Sequence, residues 1–411
     1  MLGGPGALPP VAAAPEPHAT PPSRTPAPLP PPPLPVPPEL LATLPPSVRS
    51  GAGAALLDTS DRILERVETP AGPLEIEYTL EAALTRRVGE ILREVELGHV
   101  VVLDPTDGRV LAYASTEPQQ FPATRPYPTA SLMKVVTAAA VLERAPEATQ
   151  RPCRFQGSPY YLAQNLLDPP ARGHTASFVT ALAMSNNQCF AQLAVHELGS
   201  LAVVDAMERL GLLEPPGPGH LPGEVDPVRD RFELGKLGSG LAGSRIPPLA
   251  AARLAAVLAD GQVVTPHWIA RVRDAKGSEL ALPGHAPRPV LRPVIAGQLR
   301  SMMVETTVRG TARRAFQRRD GRSLLDPISV AGKTGSLNGK DPDGHYEWFI
   351  GVAPADEPVV AVASLVVNRG KWRRSASQVA ADVLRAYFCA SGSCRPDAAD
   401  RRALAPIGGR G

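Results

Sequence analysis

The sequence predicts a mixed α/β (α+β) fold, with a central antiparallel sheet flanked by helices and a mostly helical lobe inserted between its early and late strands. Three observations carry the prediction. Apolar, β-branched runs bounded by turn residues occur at two distant places, 99–115 and 328–367. The interval between them, as far as about Ala259, is dominated by helical apolar spacing. A last helix-like segment, 375–388, follows the late strands. Strands at both ends of a helical stretch form one sheet when the first and last strands are neighbours, and the lobe then leaves a cleft against that sheet.

The elements follow in order. From Met1 to about Ser50 proline dominates, including Pro30 to Pro33 and then Pro35, Pro37 and Pro38. Proline fixes φ and lacks an amide donor, so this stretch is expected to be an extended tether, with 51–78 as a linker. Ordered sequence is expected from near Leu74. Thr79 is the expected cap of a helix carrying Leu80, Ala83, Leu84, Val88, Ile91 and Leu92. A predicted hairpin pairs His99 to Asp104 with Arg109 to Ser115 across the turn Pro105-Thr106-Asp107-Gly108. A helix is predicted from Ser131 to Arg144. The late strands are predicted at Ile328 to Gly335, Trp348 to Val352 and Val359 to Val367, before the final helix from Ser375 to Phe388. The folded domain is thus placed at 79–390, and 391–411 reads as a loose tail.

Composition narrows the classes of function. In 411 residues, 43% hydrophobic and 20% charged, there is material for a sizeable core. A formal charge of +3 and the lack of a long lysine or arginine block argue against a nucleic-acid partner. The four cysteines, Cys153, Cys189, Cys389 and Cys394, have no metal-site spacing, so neither metal nor cofactor is implied. Cys389 and Cys394 could close a small loop in an oxidising compartment, whereas buried free thiols are the plainer alternative, with Cys189 in an apolar helical run. No run of about 18 apolar residues is present and no export signal is visible.

Three short motifs carry chemistry. Ser131-Leu132-Met133-Lys134 puts a hydroxyl and an amine three residues apart at a helix start, on one face. A neutral lysine could then take the proton that a serine must lose before it attacks an amide. Ser-x-x-Lys alone is common by chance. Ser185-Asn186-Asn187 breaks two apolar runs and reads as a loop between helices. Its hydroxyl and its Asn187 amide can face one cleft, although serine and asparagine are also ordinary caps. Lys333-Thr334-Gly335-Ser336 ends a predicted strand, where a substrate could lie alongside as an extra strand. In a chain so poor in lysine, chance rarely produces Lys-Thr-Gly; the plain alternative is a strand end followed by a turn.

In this order the three motifs resemble those of the penicillin-binding protein transpeptidase domain, a β-lactamase/transpeptidase-like fold, across about residues 79–390. Similar, too, are Val100-Val101-Val102-Leu103-Asp104 with Gly108-Arg109-Val110-Leu111-Ala112, and Gly238-Ser239-Gly240 ahead of Pro248-Leu249. Arg309-Gly310-Thr311-Ala312 and Glu347-Trp348-Phe349-Ile350-Gly351-Val352-Ala353-Pro354 extend the likeness. The resemblance implies Ser131 as acylated nucleophile, Lys134 as its base, Ser185 as proton relay and Asn187 as substrate orienter. It implies that Lys333 lowers neighbouring pKa values and draws in the substrate carboxylate, that Thr334 binds that carboxylate with Gly335 and Ser336 also substrate-binding, and that the amides of Ser131 and Ser336 form the oxyanion hole. It further implies peptidoglycan stem peptides ending in D-alanyl-D-alanine as substrate, β-lactams as covalent inhibitors, a cell-wall synthesis complex as possible partner, and a place at the extracytoplasmic face of a bacterial membrane.

Three rival readings stand beside it. Water as acceptor makes the same site a D,D-carboxypeptidase. A serine β-lactamase needs a base for its deacylating water, and Glu214 and Glu224 read instead as surface acids in a proline- and glycine-rich loop. A non-catalytic β-lactam or muropeptide sensor would need a signalling module. His174 and His196 are read as surface or capping residues and Trp348 as core, while His345 and Tyr346 are expected to border the cleft.

Overall fold

A computed structural model describes residues 33–52, 58–59, 62–370 and 374–390. Its centre is a five-stranded antiparallel sheet in the order β7-β8-β9-β3-β4. These strands are β3 (Leu97–Leu103), β4 (Val110–Ser115), β7 (Ala331–Lys340), β8 (Asp343–Ala353) and β9 (Val360–Asn368). The early hairpin joins the late strands through β9 and β3, with Ala363 opposite Val101 and Leu365 opposite His99. The expected adjacency of first and last strands is therefore present. Both faces are covered, which is why β3 and β9 are apolar on successive residues and not only on alternate ones.

One face carries Val100, Val102, Phe349, Val362 and Val366, packed against α1 (Ala82–Leu92) and α9 (Ala376–Ala390). The other carries Val101, Leu103, Ile350 and Leu365 beneath α7 (Pro248–Asp260) and α8 (Pro293–Val308). The helical lobe supplies α2 (Met133–Arg144), α3 (Phe178–Ala183), α4 (Asn187–Leu193), α5 (Gly199–Arg209) and α6 (Arg231–Ser239). The helical run Asn187–Arg209 is long and apolar enough to cross a membrane by composition. In this fold its Cys189, Phe190, Val203 and Met207 are buried in the core of the lobe.

Several expectations change. Residues 33–50, read as tether, pack on the body as two single-turn helices, Pro38–Leu41 and Pro46–Arg49. Val36, Leu40 and Val48 are buried, the Trp268 indole donates to Thr43 O at 2.8 Å, and Ser47 Oγ donates to Tyr113 O at 2.6 Å. Proline at the first helical position needs no amide partner, so a proline-rich segment can still begin helical turns. The supposed linker contains a hairpin, β1 (Arg62–Thr69) and β2 (Gly72–Tyr78), paired with β6 (Ile269–Arg273) in a second sheet.

Thr79 does not cap α1: its hydroxyl donates to Val110 O at 2.7 Å, and the helix starts after Glu81, which makes no side-chain cap bond. The buried face of α1 accordingly takes in Ala82 rather than the exposed Ala83. β7 does not end at Gly335 but runs on to Lys340 in register with β8. Cys189 is not a free thiol, because it forms a disulfide with Cys153 of β5 (Cys153–Phe155). Cys389 is disulfide-bonded too. Its expected partner Cys394 lies outside the described residues, as do the tail 391–411 and residues 1–32.

Candidate active site

Ser131 lies in a tight turn, Ala130–Leu132, that leads into α2. Ala130 has φ of 51°, a left-handed conformation that a residue with a Cβ adopts only where its surroundings hold it. Two glycines press on this turn. Gly240, at the C-terminal end of α6 with φ of +74°, passes so close that a Cβ there would sit 1.9 Å from Ala130 O. At Gly335 of β7 a Cβ would sit 3.2 Å from Ser131 N. The end of the lobe and the edge of the sheet thus meet at the serine.

One helical turn on, Lys134 is fully buried, with Nζ 2.8 Å from Ser131 Oγ, 2.7 Å from Asn187 Oδ1 and 2.6 Å from Ser239 O. Burial, and then the neighbouring Lys333, hold its pKa well below the ordinary lysine value. The neutral amine has two N–H donors and one lone pair. The Ser239 carbonyl and the Asn187 amide oxygen can only accept, so they take the donors and leave the lone pair for the Ser131 O–H.

Asn187 opens α4 and is held by donating Nδ2–H to Tyr160 O at 2.6 Å. Asn186 before it caps α4, accepting from Cys189 N at 3.1 Å. Ser185 sits in the break between α3 and α4 with φ of 57°, again left-handed without being glycine. Its Oγ accepts from Lys333 Nζ at 2.9 Å, and the same amine donates to Thr334 O at 2.9 Å. Lys333 is also fully buried, and burial lowers its pKa to about 7. Thr334 Oγ1 lies 2.5 Å from Thr311 Oγ1.

Ser131, Ser185, Asn187, Thr334, Gly335 and Ser336 line one cleft of about 780 Å³, with the two lysines buried behind them. All eight residues singled out in the sequence therefore converge. Others also line the cleft: Thr311, Glu347 and Tyr160. Thr311 and Glu347 stand in stretches that carry the resemblance, but no sequence signal marks Tyr160, which binds Asn187 through its main chain.

His345 and Tyr346 do not border the cleft as expected. His345 Nδ1 is 2.8 Å from Asn338 Oδ1, and Tyr346 is buried with its hydroxyl donating to Pro342 O at 2.7 Å. Trp348 is buried and donates to Pro128 O at 2.8 Å while its flank borders the cleft. Glu214 and Glu224 pair with arginines elsewhere, at Arg288 and Arg245. His174 is exposed, and His196 bonds Leu167 O at 3.0 Å.

Comparison with known proteins gives a consistent picture. The family described as penicillin binding protein transpeptidase domain matches residues 98–388. The peptidoglycan D,D-transpeptidase PbpA of Mycobacterium tuberculosis is 29% identical over 324 residues, 68% of this chain and 63% of that protein. The chain thus spans less than two thirds of the length of that relative. PbpA of Mycolicibacterium smegmatis is 27% identical over 342 residues, 72% of this chain and 67% of that protein. Among solved structures, the ceftriaxone acyl-enzyme of penicillin-binding protein A from M. tuberculosis superposes with a TM-score of 0.64 at 24% identity, covering 76% of this chain and 79% of that one. Penicillin-binding protein 3 from M. tuberculosis with aztreonam gives 0.66 at 21% identity, covering 78% and 80%.

Proposed function

Because the chain belongs to the penicillin-binding protein transpeptidase family, we propose that it is a serine D,D-transpeptidase that cross-links peptidoglycan stem peptides through an acyl-enzyme on Ser131. The observation that carries this reading is the buried Lys134 amine, 2.8 Å from Ser131 Oγ, with both its donors engaged by acceptors that can do nothing else. A serine hydroxyl attacks an amide only once its proton has somewhere to go, and a neutral amine held in that position supplies the place.

In this mechanism Lys134 takes the Ser131 proton as Oγ attacks the carbonyl of the penultimate D-alanine. The oxyanion is received by the amides of Ser131 and Ser336. Thr334 O bonds to Lys333 and so faces away from β8; main-chain groups two residues apart face the same way, which turns Ser336 N–H toward the free edge of β7. Ser185, hydrogen-bonded to Lys333, passes a proton to the leaving nitrogen. The C–N bond breaks, terminal D-alanine departs, and the acyl group stays as an ester on Ser131.

Asn187 orients the stem amide, while Thr334 with its partner Thr311 receives the terminal carboxylate, drawn in by Lys333. An amine of a second stem then attacks the ester, forming a new C–N bond as the C–Oγ bond breaks and a proton returns to Oγ. A β-lactam, which resembles the dipeptide, acylates Ser131 in the same way. The Cys153–Cys189 disulfide supports an oxidising, extracytoplasmic setting.

Intact mass after incubation with penicillin tests the reading. A stoichiometric adduct that persists for hours in the wild type and is missing in Ser131→Ala is expected. No adduct on folded protein would overturn it, and fast turnover of the drug would make the protein a β-lactamase instead.

A further inference from the structure

On the α9 side of the cleft stands a carboxylate that the mechanism above leaves unused. Glu347 lies on β8 directly opposite Ser336, so the two side chains share one face of the sheet, and that face also carries Thr334 two residues away. One turn of helix approaches it: the N–H of Ala376, in the first turn of α9, faces the carboxylate and favours its charged form. Glu347 is only 8% exposed although it lines the cleft, and its buried Oε2 has no hydrogen-bond partner among the described residues. His345 Nε2 is 3.7 Å from Oε1, too far for a hydrogen bond. Arg314, from the single turn Arg313–Phe316, lines the same cleft, and among the described residues it forms no ion pair with Glu347 or with any other acid.

An acceptor oxygen left vacant in a buried site is costly, and the cost is relieved by a ligand that brings N–H donors and positive charge. The reaction provides such a ligand. The incoming nucleophile of a transpeptidase is an amine, which arrives as an ammonium ion. Microscopic reversibility brings it to the acyl carbon along the path by which the leaving amine departed, past Thr334 on the face that Glu347 shares.

We propose that Glu347 receives the amine of the acyl acceptor. The ammonium docks on the free carboxylate oxygen and passes its surplus proton to it. The neutral nitrogen then attacks the Ser131 ester, the C–N bond forms, the C–Oγ bond breaks, and the second amine proton ends on Ser131 Oγ. The proton on Glu347 leaves to solvent before the next cycle. Burial raises the Glu347 pKa to about 7, which matches a group that must take up and release a proton near neutrality. Of the charged groups that face it, His345 on its own strand lies 3.7 Å from Oε1, and Arg314 lines the same cleft.

The inference rests on the transpeptidase reading, and one experiment separates the two. A D-alanyl thioester donor is offered to wild type and Glu347→Gln with increasing glycine as acceptor, and acyl-enzyme, hydrolysis product and aminolysis product are measured together. Glutamine keeps the size of the side chain and an oxygen that can face Ala376 N–H. Expected is an aminolysis-to-hydrolysis ratio lowered by about 10-fold or more, with acyl-enzyme still forming. An unchanged ratio, a parallel fall of both products, or a loss of hydrolysis alone would overturn the proposal. Failure of the wild type to form any acyl-enzyme would overturn the underlying reading and this inference with it.

Discussion

Two fully buried lysines lie behind one cleft, and the charge on Lys333 bears on Lys134. Burial and Lys333 hold the Lys134 pKa well below the ordinary lysine value, whereas an arginine in its place would carry its charge at any workable pH. Lys134→Arg should therefore slow acylation by penicillin about 10²- to 10⁴-fold, read from adduct formation against time. Lys333 has a second, thermodynamic signature. Its folded pKa of about 7 lies below the ordinary value of 10.5. Between those values the unfolded chain binds a proton that the folded chain does not, so stability rises with pH through that window. Lys333→Met removes this dependence. Its melting temperature should exceed that of the wild type most at pH 6, with the gap narrowing toward pH 10, while acylation is lost. Side chains of this kind were legible in the sequence because serine, lysine and asparagine advertise their chemistry. The carbonyl of Ser239 and that of Tyr160 were not, since main-chain acceptors look alike in every residue.

At the level of elements, the turn that carries Ser131 is set by what closes on it. Gly240→Ala would force a Cβ into Ala130 O, and main chain on both sides must then shift. A displacement near 1 Å at a reacting atom costs about 10²-fold, which penicillin acylation kinetics of this variant should show. The disulfide acts on a neighbouring element, tying β5 to α4, whose first residue is Asn187. It closes a loop of 36 residues, for which the chain-entropy relation gives about 3–4 kcal/mol. Cys153→Ala combined with Cys189→Ala should lower unfolding free energy by roughly that amount in urea titration. The strands of the central sheet were readable from their apolar runs. The pairing of Cys153 with Cys189 was not, because a separation of 36 residues says nothing about where β5 docks. Nor was the start of α1, where Thr79 found a tertiary partner in Val110 O instead of the local helix amide.

Over the whole molecule, the proline-rich N-terminal stretch is the largest departure from what the sequence suggested. Composition argued against packing, yet Val36, Leu40 and Val48 insert into the core and Thr43 satisfies the Trp268 indole. Each such side chain contributes about 1.5–3 kcal/mol on burial. Deleting residues 1–52 should therefore lower the melting temperature by about 5 °C or more in a thermal scan. The free side of β7 bears on the molecule as a whole as well. A strand left open to receive a peptide is open to any other strand, including that of a second molecule, and exposed edges of this kind seed aggregation. Many proteins guard such an edge with charge. Here the turn that carries Ser131 lies over the sheet face beside that edge, so close that a Cβ at position 335 would sit 3.2 Å from Ser131 N. The groove between that turn and the free edge would admit a single extended peptide more readily than the edge of a second folded sheet.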